Sequence, residues 1–316
     1  MFAWTFGRVE AVIENRSFRT FWQQATALQG SVTPYIFRHV LAFGVFAACV
    51  QVANRFVVSR FHFDLGMAAN PFEIAGAVLG LLLVFRTNAS YDRWWDARKL
   101  WGGIVNQCRN LTIDALAYGP QDEQWRREFV RWVAVFPHAC RASLRGEAPD
   151  AKVVDLLGSE VAAQLGASNH MPNFVVLRLG RLLQEALQTQ EMNQFAFVQT
   201  DKERAQLIDH IGGCERILKT PLPMVYVIKI RRYIVLFLLA LPFALLHKLQ
   251  SDWLLPIVTM GVAYPLLSLD QIGVELQNPF AKSNLSHLPL DDISDNITKN
   301  VQALLQSSSA EVQSVR

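Results

Sequence analysis

The chain has 316 residues, 51% of them hydrophobic and 18% charged, with a formal net charge of +3 at pH 7. That balance is too apolar for an average soluble domain and too charged for a chain lying wholly in lipid, so a membrane part joined to a water-facing part is expected. The small, evenly spread charge gives no basis for a nucleic-acid partner.

The opening residues MFAWTFGRVEAVIENRSFRTFW scatter charges of both signs through apolar residues. They read as an amphipathic helix lying against a membrane or the protein body, not as a cleavable signal peptide. Four apolar runs follow, and the expected spanning helices are 40–59, 71–97, 224–246 and 253–269. Each is interrupted: Gln51, Asn54 and Arg55 in the first, Glu73 in the second, Lys229, Arg231 and Arg232 in the third, Pro256 and Pro265 in the fourth. Short, interrupted spans point to helices shielded by one another in an oligomer. The outer-loop candidates 60–70 and 247–252 hold only Arg60 and Lys248 as basic residues, while the segments before Val40 and from Arg86 to Arg232 are rich in arginine. The positive-inside bias then puts both termini of a multi-pass protein in the cytoplasm.

The second run, PFEIAGAVLGLLLVFRTNASYDRWWDARKLWGG from Pro71 to Gly103, passes from apolar to polar without a turn signal. One helix is therefore expected to leave the membrane and continue into water, with any pore running along it. Taking Leu81 as zero at about 100° per residue, Ile74, Asn88 and Asp92 fall within about 20°, and Ala77 and Phe85 within about 40° on either side. Glu73 lies about 80° round, at the rim of this face. There it is either a carboxylate ring at an ion entrance, which would favour cations, or a cap of the helix start beside Pro71. Gly76 and Gly80 have the spacing that lets neighbouring helices approach closely.

Residues 98–223 read as a helical cytosolic region. Asp122 to Leu144 sets Trp125, Phe129, Trp132, Val133 and Phe136 against interleaved charges, and Gly146-Glu-Ala-Pro149 breaks it. Asp150 to Leu165 and Asn173 to Gln190 are further helical candidates. No repeat or linker divides the chain, so 1–316 is taken as one domain, with a C-terminal segment from 270 whose tail after 306 is expected to be disordered.

Sites for chemistry are lacking. The seven histidines, His39, His62, His138, His170, His210, His247 and His287, never stand three or four residues apart or beside a cysteine. Cys49, Cys108, Cys140 and Cys214 show no metal or redox spacing and read as reduced, packed thiols. With no nucleophile elbow, phosphate loop or dinucleotide fingerprint, no catalytic residue, metal or cofactor is expected. Arg86, Arg93, Arg98 and Lys99 are either an ion-attracting belt or partners of Asp92, Asp96, Asp114 and helix ends, the second reading being favoured.

The words RTNASYDRWWDARKLWGG resemble the bestrophin family of membrane channels at Phe85, Arg86, Asn88, Ser90, Tyr91, Arg93, Trp94, Trp95, Arg98, Leu100 and Trp101. CERILKTPLPMVY (214–226), the Asn278-Pro-Phe280 motif and LPLDDI (288–293) extend the likeness over most of the chain. The resemblance implies an all-α polytopic protein with four transmembrane helices per subunit and a helical cytosolic body, assembled as a ring-shaped homopentamer with an axial pore. In that family the neck falls on three turns of the second spanning helix, here Ala77, Leu81 and Phe85, with Ala77 smaller than the bulky residue usual there. A second, cytosolic aperture lands on Phe195, with Phe197 or Val198 in its place if the register slips. Animal members hold calcium after the N-P-F motif. Here that stretch reads Ala281-Lys-Ser-Asn-Leu-Ser-His287, with acids only at Asp291, Asp292 and Asp295, and no calcium site is carried over. The implied function is passive conduction of small inorganic ions across the inner membrane, chloride by family default, with the lipid and further copies of itself as partners. The alternatives are a sodium-conducting channel, as in some bacterial members, and a non-conducting membrane scaffold.

Overall fold

The computed structural model describes residues 18–249 and 253–314, so most of the expected N-terminal amphipathic helix lies outside the described residues. Among those described there are eleven helices and no strand. They are α1 Phe18–Ala25, α2 Thr33–Phe61, α3 Asn70–Tyr118, α4 Glu123–Arg145, α5 Ala151–Leu157, α6 Ser159–Ala167, α7 Met171–Gln188, α8 Gln194–Lys219, α9 Met224–Leu245, α10 Leu254–Glu275 and α11 Leu290–Ser314.

The chain forms two compact units. The first takes residues up to Thr87 together with 228–272; the second takes Asn88–Val227 and the chain from Gly273 onward. Within the first unit α2, the start of α3 and α10 are each long and apolar enough to cross a membrane. The 22-residue α9 is long enough but carries Lys229, Arg231 and Arg232 in its first half.

Helix α3 contains 49 residues, about 74 Å at the helical rise, because no proline interrupts it after Pro71. It continues past the expected span 71–97 as far as Tyr118, as a helix passing from the membrane into water would. One stripe along it is buried: Leu79, Leu83 and Arg86 in the first unit, and Ser90, Ala97, Trp101, Ile104, Cys108, Leu111 and Ala115 in the second. Steps of three and four residues keep such a stripe on one side.

In the second unit α4 packs on α7 and α11, and α7 on α8. Trp101, Phe129, Phe136, Leu165, Leu179, Leu183, Leu207 and Phe280 are fully buried in its core. The local stops follow expected chemistry. Asp122 accepts the Trp125 amide at 2.8 Å to start α4, and Gly146 at φ +66° ends it, a left-handed conformation that glycine adopts without strain. The helix expected over Asp150–Leu165 is instead two, divided at Gly158, whose φ of +82° breaks the ladder. Close helix contact needs glycine twice: a Cβ on Gly103 would lie 2.4 Å from the His210 ring, and one on Gly213 2.8 Å from Leu100.

The expectation of a disordered tail after 306 is corrected. Helix α11 continues to Ser314. The Ser307 and Ser309 hydroxyls donate to the carbonyls of Ala303 and Leu305 at 3.1 and 3.0 Å, and Ser308 accepts a 3.2 Å bond from Arg126, so the serine run is tied to its own helix and to α4.

Candidate ion-conducting face

The buried stripe of α3 decides which side of the helix is left over. At about 100° per residue Leu79, Leu83, Arg86 and Ser90 lie about 140–200° from Leu81. Ile74, Ala77, Leu81, Phe85, Asn88 and Asp92, on the opposite side, are all exposed. Leu81 and Phe85 keep 54% and 57% of their surface accessible, an arrangement that water alone disfavours for two large apolar groups one turn apart. Of the two glycines on the flank, Gly76 sits where a Cβ would approach Phe237 of α9 to 3.2 Å, whereas Gly80 meets nothing within 4 Å among the described residues.

At the head of this face Glu73 stands in the first turn of α3, where a carboxylate suits the positive end of the helix dipole. Its carboxylate is ion-paired with the Lys248 ammonium. Around Lys248 the turn after α9 is fastened to the loop before α3. Asp64 bonds His247 at 2.9 Å and accepts the Gly66 amide at 2.8 Å, Asn54 accepts the Leu65 amide at 2.9 Å, and Met67 donates to the Phe243 carbonyl at 3.0 Å. The Gly66 amide, aided by His247, holds the Asp64 carboxyl below its ordinary range. Composition had marked Lys248 only as an outer-loop cation; its partner, 175 residues away, has no local signal.

Two of the family-like arginines are engaged within the protein. Arg86, fully buried, is ion-paired with Asp270 of α10, and Asp270 is also 3.0 Å from Arg231 of α9, so one carboxylate ties three helices. Neither Asp270 nor this triad was legible beforehand, because Asp270 reads as a lone acid at the end of an apolar run. Arg93 donates to the carbonyls of Ile217 and Thr220 at 2.5 and 2.7 Å, satisfying the end of α8, and Lys99 is 2.8 Å from Asp96. Both follow the favoured reading; Arg98 is exposed. Tyr91, Trp94 and Trp95 stack with centroids 6.2–6.5 Å apart, and Trp94 Nε1 donates to the Ser286 carbonyl at 2.7 Å. Trp101 is buried in the core.

Phe195 is the second residue of α8, whose start is capped by Asn193, the Asn193 side chain accepting the Ala196 amide at 2.8 Å. It is 89% exposed, Val198 is exposed beside it, and Phe197 packs against the core. Of the three residues considered for an aperture, Phe195 and Val198 thus face outward and Phe197 inward.

After the N-P-F motif Asp291 and Asp295 are engaged by cations, Asp295 by Lys152. Asp291 lies 2.8 Å from Arg141 and 2.9 Å from Arg145, with Lys282 at 3.7 Å. Burial alone would raise its pKa, but these cations bring it below the ordinary carboxyl value. Asp150, likewise partly buried and held low by Arg141, stands 3.9 Å from the buried His138, whose Nε2 is 3.0 Å from the Thr298 hydroxyl. The burial of His138 lowers its pKa. Cys108, Cys140 and Cys214, distant in sequence, are neighbours in this unit; burial keeps their thiols protonated and pushes Cys214 up to about 12.

The chain is similar to known proteins in sequence and in fold. A family profile described as bacterial/fungal bestrophin protein matches residues 11–303. A protein of Nostoc named voltage-dependent anion channel-forming protein is 31% identical over 91% of this chain and 92% of its own length. The Escherichia coli K12 protein of the same description, YneE, is 32% identical over 79% and 81%. The crystal structure of a bacterial bestrophin homologue from Klebsiella pneumoniae superposes with a TM-score of 0.78 at 25% identity, covering 86% of this chain and 98% of that one. With a matching profile over nearly its whole length and a fold shared with that bestrophin homologue, this chain is a membrane protein of the bacterial and fungal bestrophin family.

Proposed function

We propose that five copies of this chain form a ring in the inner membrane and pass small inorganic anions, chloride foremost, down their gradient along an axis lined by α3. The observation that carries this reading is the exposed face Ile74, Ala77, Leu81, Phe85 opposite a fully used buried stripe. A narrow apolar ring controls wetting, and conduction needs no further chemistry. Less than a third of the most apolar stretch of each candidate span is buried within the chain, which leaves surface for lipid and for neighbouring copies.

In this reading α9 is the fourth span. Its three basic residues gather in its first half, where Lys229 and Arg232 snorkel to the cytoplasmic surface and Arg231 is met by Asp270. Both termini are then cytoplasmic. Ala77, Leu81 and Phe85 form the neck, and Phe195 forms a cytosolic aperture, a role that fits its nearly complete exposure. Preference for anions is supported by the names of the relatives, which are anion channel-forming proteins.

The test is the reversal potential of purified protein in planar bilayers under asymmetric sodium chloride, with the mass of the detergent-solubilised assembly. Five copies and a reversal potential near the chloride equilibrium value are expected. A potential near the sodium value would make it a cation channel, and absence of current from correctly assembled protein would leave a scaffold.

A further inference from the structure

The proposed pore has a carboxylate, Glu73, at the rim of its conducting face, and five bare carboxylates around an opening favour cations. That conflicts with an anion path unless something cancels the charge. We infer that Lys248 is a selectivity-determining residue of the outer mouth, holding each Glu73 in a contact ion pair so that the ring presents dipoles in place of charges. The inference rests on the pore reading given above.

The geometry is built for this pairing. Lys248 follows His247, and the His247 ring is anchored by Asp64 at 2.9 Å and pressed against Gly66, where a Cβ would come to 2.1 Å of the ring. The Lys248 amide donates to the Leu245 carbonyl at 3.0 Å, closing the turn. With its backbone held on both sides, the lysine brings its ammonium to Glu73.

Both side chains of the pair are exposed, and exposed ion pairs add little to stability. What the pair changes is the field at the mouth. The potential of a single charge falls as the inverse of distance and that of a dipole as its inverse square, so a permeating ion a few ångströms off feels the bare carboxylates far more strongly than the pairs. Taking five bare carboxylates at about one Debye length, roughly 8 Å, from the ion in a water-like medium, the occupancy of either ion changes by roughly fivefold.

The experiment compares the unaltered channel with Lys248→Gln, Glu73→Gln, the double variant and Lys248→Arg in planar bilayers under asymmetric sodium chloride, at low and at high ionic strength. Lys248→Gln is expected to shift the reversal potential toward sodium and Glu73→Gln further toward chloride. The double variant is expected to return to the starting value, and Lys248→Arg to keep it. The shifts should shrink at high salt. Lys248→Gln channels that conduct at low salt with the original reversal potential would overturn the inference, as would a double variant that keeps the shift of either single one. Absence of current from the unaltered protein would instead refute the pore reading itself. Because the pair is exposed, unchanged thermal unfolding in all variants is expected, which separates a change of field from a loss of fold.

Discussion

Removing the carboxylate of Asp270 is expected to destabilise the membrane unit more than any other single charge removal in it. Its partner Arg86 has no exposed side-chain surface, Asp270 itself keeps 12%, and Arg231, the second partner, is about half exposed. Breaking a buried pair leaves an uncompensated charge and costs about 3–5 kcal/mol, whereas an exposed pair contributes about 1 kcal/mol or less. Asp270→Leu should therefore lower the unfolding midpoint by roughly 6–20 °C, at about 2–4 °C per kcal/mol for a body of this size. Arg231→Met should lower it by no more than about 4 °C on the same scale. Since a buried pair replaced by apolar residues of similar volume is often neutral, Arg86→Met combined with Asp270→Leu should recover most of the loss. The assay is thermal unfolding of the detergent-solubilised protein followed by tryptophan fluorescence. The reasoning is refuted if Asp270→Leu unfolds within about 2 °C of the unaltered protein, or if the double variant is no more stable than Asp270→Leu.

Two further outcomes are expected. Leu81→Ala with Phe85→Ala should widen and wet the neck, raising conductance or open probability in planar bilayers; unchanged currents would move the gate to Phe195. His138 has its pKa lowered by burial from the ordinary 6.5, so the unfolded chain takes up a proton that the folded one refuses. Its contribution is complete above that value and is lost as pH falls through the folded pKa. His138→Gln should flatten the fall in denaturant stability between about pH 7 and pH 5, and an equally steep profile in the variant would assign the fall to other groups.

Much of this architecture was written locally. The polar and aromatic run from Phe85 to Trp101 carries the family likeness, and the 3.6-residue period over Pro71–Phe85 identified the face that proves exposed. Asp122 and Gly146 bound α4 through bonds and backbone preferences that involve only near neighbours, which is why they could be read in one dimension. The unbroken reach of α3 to Tyr118 follows from the absence of an internal proline, and its adjacent glycines, 102 and 103, read as helix-packing or hinge positions without showing that the His210 ring is what packs at 103.

Pairings across long separations were decided only by the tertiary structure. Asp270 with Arg86, Lys248 with Glu73, Asp291 with Arg141 and Arg145, and the gathering of Cys108, Cys140 and Cys214 join residues tens to hundreds of positions apart. A charge in an apolar run shows in sequence that a partner is needed, because burying it alone is too unfavourable, but not which of the distant opposite charges supplies it. The same holds for Phe195 and Phe197: two residues apart on α8, they are chemically identical, and only the packing of α8 against the core sends one inward and leaves the other exposed. Helix period and end signals depend on neighbours in the chain, while partners and faces depend on how the helices are docked, and docking is settled by the burial of whole surfaces at once.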